Sequence, residues 1–169
     1  LSLSGMVASV LIYGPVLSDV LLLSATVFFS ASVIFIRALW RKSPTYVVID
    51  GSNVMHWKDD SASLGTVQQL LGLLREQDKV PVVWFDANVG YKVRDRYLGP
   101  GPLARILGLS PRQVFVAPKG TPADPLLLED AQKLNATVIT NDRFRDWAES
   151  HPQIAQPGFL VGGQVQGDS

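Results

Sequence analysis

Hydrophobic residues follow two unlike patterns along this chain. From Leu1 to Ile36 they are nearly continuous, and the only charge is Asp19. After Arg37, short apolar runs alternate with segments of helical spacing, divided by Gly, Pro, Asn and Asp. Apolar runs at Tyr46–Asp50 (YVVID), Val80–Asp86, Gln113–Ala117 and Thr137–Thr140 read as strands buried on both faces. Between them, Leu64–Gln77 places Val67, Leu70, Leu71 and Leu74 at the i, i+3, i+4, i+7 positions of a helix. Pro122–Asn135 and Asp142–Ser150 read as helices. Val93–Leu107 reads as partly helical, broken at the Gly-Pro-Gly-Pro of residues 99–102, and GFLVGG near Gly158 reads as a last short strand. Strand–helix alternation with doubly buried strands predicts an α/β domain built on a parallel sheet, covering residues 43–165, with a polar tail over 166–169.

The first 42 residues read as a membrane-anchor segment. Val20–Ile36 carries no charge and is followed by Arg37, Trp40, Arg41 and Lys42, the basic and aromatic residues that favour an interface. With its flanks the run approaches the roughly 20 residues that cross a bilayer core. A signal peptide would carry its basic residues before the apolar core, not after it, and a buried helix would keep a polar face. The earlier apolar stretch is broken by Gly14-Pro15 and leaves one span or two open. Either way the basic end, and the domain behind it, is expected in the cytoplasm.

Composition narrows the chemistry. Lys plus Arg and Asp plus Glu are both 15 of 169 residues, so net charge gives no sign of a polyanion partner and any basic patch must be local. There is no cysteine, which removes disulfides, thiolate zinc sites and thiol catalysis, and only His56 and His151 could offer imidazole. A metal here would be held by oxygen, which favours Mg²⁺ or Mn²⁺.

The acids supply the pattern. Asp50 ends the first strand, Asp86 the second, and Asp142 follows the fourth, so a parallel sheet brings them to one edge. Asp124 opens the helix after the third strand at the same edge, and Asp146 lies four residues past Asp142, on one face if that segment is helical. Such a cluster of like charges calls for a cation, and carboxylates holding Mg²⁺ or Mn²⁺ suit phosphodiester hydrolysis. Each acid also has a local use. Asp124 could return a capping box begun by Thr121, Asp142 could cap its helix, Asp146 could be a solvated charge, and Asp86 reads first as opening an Asx-turn with Asn88. Convergence at one edge favours the site for Asp50, Asp124 and Asp142, the three expected metal ligands.

The segments VVIDGSNVMHW and VITNDRFRDW, joined by alternating strands and helices and by PADPLLLEDA, resemble the NYN domain of Regnase-like ribonucleases within the PIN-like nuclease group. The resemblance implies Mg²⁺-dependent endonucleolytic cleavage of single-stranded or loop RNA. It implies Asp50 as a metal carboxylate, Asn53 as the residue that orients it or the substrate, and Asp124, Asp142 and Asp146 as further catalytic acids. Some members carry two adjacent aspartates where this chain has Ala123-Asp124. RNA contacts are expected from Lys92, Arg94, Arg96, Lys119, Arg143 and Arg145, with Tyr91, Trp57 and Phe144 as stacking candidates. His56 reads as loop polarity. The alternative is a catalytically weak PIN-like module that binds RNA or protein at the membrane. A phosphatase of the Asp-x-Asp type is disfavoured by Ser52, and oligomeric state, including a homo-oligomer, stays open.

Overall fold

The structure, a computed structural model, describes residues 23–38, 43–58 and 61–165. The chain divides into two compact units, Leu1–Ser43 and Pro44–Ser169.

In the first unit a helix (α1) covers residues 23–38. Leu23, Phe28, Phe29, Ile34 and Phe35 are exposed on it, while the hydroxyls of Thr26 and Ser30 donate back to the carbonyls of Leu23 and Thr26. The membrane span expected over Val20–Ile36 is not found. Among the described residues no helix is long and apolar enough to cross a membrane. Gly14-Pro15, the flank before residue 23, Trp40, Arg41, Lys42 and the tail over 166–169 lie outside the described residues.

The second unit holds the expected α/β fold. Its elements are β1 (Thr45–Asp50), α2 (Gly51–Val54), α3 (Leu64–Glu76), β2 (Lys79–Phe85), α4 (Val89–Arg94), α5 (Pro100–Leu107), β3 (Val114–Val116), α6 (Ala123–Lys133), β4 (Thr137–Ile139) and β5 (Leu160–Val161). All pairings are parallel and the strand order is β3-β2-β1-β4-β5. Alternation along the strands divides the core. Val47, Ile49, Val83 and Phe85 pack with α3 and α5 residues such as Val67, Leu71 and Leu103, whereas Val48, Val82, Trp84 and Val138 pack with Leu127, Leu128 and Ala131 of α6. Both faces are covered, as a parallel sheet requires.

The break in residues 93–107 resolves into α4 and α5. Asp95 ends α4 in the left-handed region, and α5 starts within the Gly-Pro-Gly-Pro stretch with Gly99 as N-cap and Pro100 as first residue, where a missing N–H costs nothing. The helix expected over Asp142–Ser150 is absent. Only Arg145–Trp147 form a single 3₁₀ turn, because Phe144 is left-handed at φ 46° and its N–H is taken by the Asp142 side chain (2.8 Å). That local bond competes with helix propagation.

Candidate active site

Asp50 stands where β1 gives way to α2, and its environment follows from that switch. As N-cap it accepts the Asn53 N–H on Oδ1 at 3.0 Å. Its Oδ2 accepts the Thr140 hydroxyl at 2.9 Å, across the sheet from the end of β4. α2 is laid down tightly against the neighbouring strand: a Cβ at Gly51 would come within 2.8 Å of the Phe85 ring, so the first residue of the turn has to be glycine.

A small hydrogen-bond network fixes the second acidic segment to the first. The buried Thr140 hydroxyl that donates to Asp50 also accepts the Asp142 N–H at 3.0 Å. Asn53 Oδ1 accepts both the Trp57 indole N–H (2.7 Å) and the Asn141 N–H (3.0 Å). Both partners are donors, which assigns the amide oxygen to that side. Asn141 in turn pairs its side chain with Gly163, N–H to Oδ1 at 3.0 Å and Nδ2 to the carbonyl at 2.9 Å, as a strand neighbour would. Side chains on Gly162 or Gly163 would collide with Asn141 Oδ1 or the Trp57 ring. Asn53 therefore positions the loops that carry the acids.

Asp124 is at the edge but not in a capping box. Pro122 is the N-cap of α6 and makes no side-chain bond, while Asp124 Oδ2 accepts the Trp147 indole N–H at 3.3 Å. Asp86 follows β2, its N–H held by Ser52 Oγ at 2.8 Å, and no Asx-turn bond from its carboxylate occurs among the described residues. Electrostatics link these acids. Burial pushes the Asp50 carboxyl up to about 6; the bonds from Asn53 and Thr140 pull it down, and the charges of Asp124 and Asp86 raise it further. Asp124 is also raised, first by burial and then by Asp142 and Asp86, against the lowering bond from Trp147. Asp86, discounted in the sequence, thus acts on both. Asp146 does not: it is exposed, outside the helix that would have aligned it with Asp142, and absent from the charges acting on either acid.

The expected metal triad is brought to one edge but not closed. Among the described residues no group of three Asp, Glu or His side chains stands close enough to hold an ion. Asp50 turns both oxygens, Asp124 one and Asp142 one to donors of the chain itself. The donor set still suits a hard divalent cation, since it consists of carboxylate oxygens, neighbouring acids help raise Asp50 and Asp124, and no ion pair among the described residues relieves them.

Lys92, Arg94, Arg96, Lys119, Arg143 and Arg145 are exposed, and the only ion pairs among the described residues belong to Lys133. Tyr91 and Tyr97 are exposed beside the α4 cations. Trp57 is half-buried, whereas Phe144 is only 2 % exposed and belongs to the core, not to a stacking surface. His56 is exposed after α2. Sequence reasoning missed Thr140, Trp147 and Ser52, whose only signal was a hydrogen-bonding side chain near a strand end.

Comparison with known proteins agrees with this topology. Residues 43–157 match the family described as the Zc3h12a-like ribonuclease NYN domain. Two solved structures of nuclear protein-only RNase P 2 (PRORP2) from Arabidopsis thaliana share the fold. One has a TM-score of 0.52 at 21% identity, covering 89% of this chain and 34% of that one. The other has 0.51 at 21%, covering 86% and 32%. The chain thus spans about a third of the length of those proteins. No curated protein matches it.

Proposed function

The chain belongs to the Zc3h12a-like ribonuclease NYN family, and from that premise we propose that it is a divalent-metal-dependent endoribonuclease acting on single-stranded or loop RNA. The observation that carries this reading is the gathering of Asp50, Asp86, Asp124 and Asp142 at one sheet edge, where burial and then the neighbouring acids raise the carboxyls of Asp50 and Asp124. Asp50, Asp124 and Asp142 would hold Mg²⁺ or Mn²⁺, with Asp86 adding charge where Ala123 offers none. When bound, the cation would polarise the scissile phosphate and lower the pKa of the attacking water. Water adds across a P–O bond, leaving one phosphate monoester and one hydroxyl end.

The chain's own residues do the rest. Asp50 and Asp124 would offer carboxylate oxygens to the cation, and Thr140 keeps Asp50 and the Asp142 backbone in fixed relation. Asn53 holds the Asn141–Asp142 segment against α2. Lys92, Arg94 and Arg96 would attract the phosphate backbone, and Tyr91 would stack on an unpaired base.

The test is cleavage of end-labelled single-stranded RNA by the full chain with Mg²⁺ or Mn²⁺. Turnover abolished by EDTA and restored by added metal is expected; turnover indifferent to EDTA would sink the reading. A second reading, RNA retention without hydrolysis, is favoured by the unclosed acidic group. Robust turnover eliminates it.

A further inference from the structure

At the opposite end of the sheet from Asp50, where α6 turns into β4 and the chain enters β5, lies a cleft of about 380 Å³. Its lining contains no charged residue and four carboxamides, Gln132, Asn135, Gln153 and Gln156, with Pro157 and the partly buried Phe159 beside them. Gln153 is only 9 % exposed, and its Nε2 has no hydrogen-bond partner. A buried amide left this way is costly, and an apolar residue of like size would avoid the cost.

We propose that this cleft is a second binding site, for an unpaired nucleobase. The chemistry that fits is planar, uncharged and rich in both donors and acceptors along one edge. Carboxamides read such an edge in pairs, as Asn and Gln do with adenine, and an aromatic wall accepts a base face. The absence of cations in the lining means that phosphate is not what the cleft grips. Gln153 Nε2 is buried as it stands, and the side chain has to turn outward to meet a ligand; that nitrogen gives up no hydrogen bond in doing so, so engaging it is a net gain of one. The site stands apart from the acidic edge. Only the choice of a nucleobase over other amide-like ligands rests on the reading of this chain as an RNA-handling protein.

The experiment follows the side-chain amide signals of Gln132, Asn135, Gln153 and Gln156 by NMR in the full chain, titrated with adenosine, guanosine, cytidine and uridine. At least one nucleoside should shift them with a dissociation constant of about 1 mM or tighter. Gln153→Leu should fold with an unchanged or higher thermal midpoint and bind at least about tenfold more weakly. Gln156→Ala, at an exposed position, should weaken binding several-fold with no change in fold. A short oligoribonucleotide that moves the same signals at lower concentration identifies the strand as the source of the base; equal potency identifies a free nucleoside. Silent amides with every nucleoside, meaning that water alone serves the cleft, would overturn the proposal, as would equal binding by Gln153→Leu. Binding without RNA cleavage would count against the active-site reading and leave this one standing; cleavage without binding would do the reverse.

Discussion

The two ends of one parallel sheet solve opposite problems. At the carboxyl end four acids gather at one edge, and three of them, Asp50, Asp124 and Asp142, turn oxygens to donors of the chain: Asn53, Thr140, Trp147 and Phe144. In the cleft at the amino end of β4 no lining residue is charged, and one carboxamide is left without a partner. The first end is satisfied in hydrogen bonds and frustrated in charge; the second is neutral and frustrated in hydrogen bonds. Each kind of unmet demand names a ligand: a cation for one, a base edge for the other.

The largest break in this contrast comes from Asp50→Asn. Removing the charge should lower RNA cleavage by on the order of 10³-fold, the size of effect seen when a preorganised electrostatic group is lost. The same change should stabilise the metal-free protein. A carboxyl raised from 3.8 to about 6 is held more tightly by its proton in the folded chain than in the unfolded one. Its contribution is therefore fully favourable below pH 3.8, and is lost as pH rises to about 6. At neutral pH the penalty is on the order of 2–3 kcal/mol. Thermal melts should show Asp50→Asn above wild type at pH 7.5, with the gap closing near pH 4.

Thr140→Val tests the coupling between the two acidic segments. It strands the Asp142 N–H and removes a donor from Asp50, which should cost about 1–3 kcal/mol in chemical denaturation. Because that hydrogen bond lowers the Asp50 pKa, its loss should also move the acid limb of the pH–activity profile upward. Gly163→Ala should be milder and without that pH shift. Its Cβ would press on the Trp57 ring, and overpacking of this kind costs about 1–3 kcal/mol, less where the ring can yield. Asp146→Asn should do least, leaving cleavage within about threefold, as for a surface substitution away from such features. A loss equal to that of Asp142→Asn would return Asp146 to the site.

Much of this was legible in the chain. The strands declared themselves as doubly apolar runs, and β1, α3 and β2 fall within a residue of their expected limits. The acids at strand ends followed from topology alone. What failed, failed for local reasons. Asp142–Ser150 has the composition of a helix, but the Asp142 side chain captures the Phe144 N–H and bends the chain left-handed, so the argument placing Asp146 beside Asp142 lost its basis. Asp86 looked like a turn residue, because single-sequence reasoning sees its neighbours in the chain and not Asp50 and Asp124 across the edge. Asp124 was expected at the edge with a capping box as its local alternative, and its bond from Trp147, more than twenty residues later, was beyond what its neighbours in the chain could suggest. Thr140 carries no pattern at all; its role exists only once β1 and β4 are side by side.

The claim at the centre is that Asp50 carries an electrostatic burden that a divalent cation relieves. Its side-chain carboxyl can be followed by ¹³C NMR as a function of pH, with and without Mg²⁺. Without metal the carboxyl should titrate near 6, and with saturating Mg²⁺ its midpoint should fall below that value. An ordinary midpoint near 3.8, unmoved by Mg²⁺, would contradict the account.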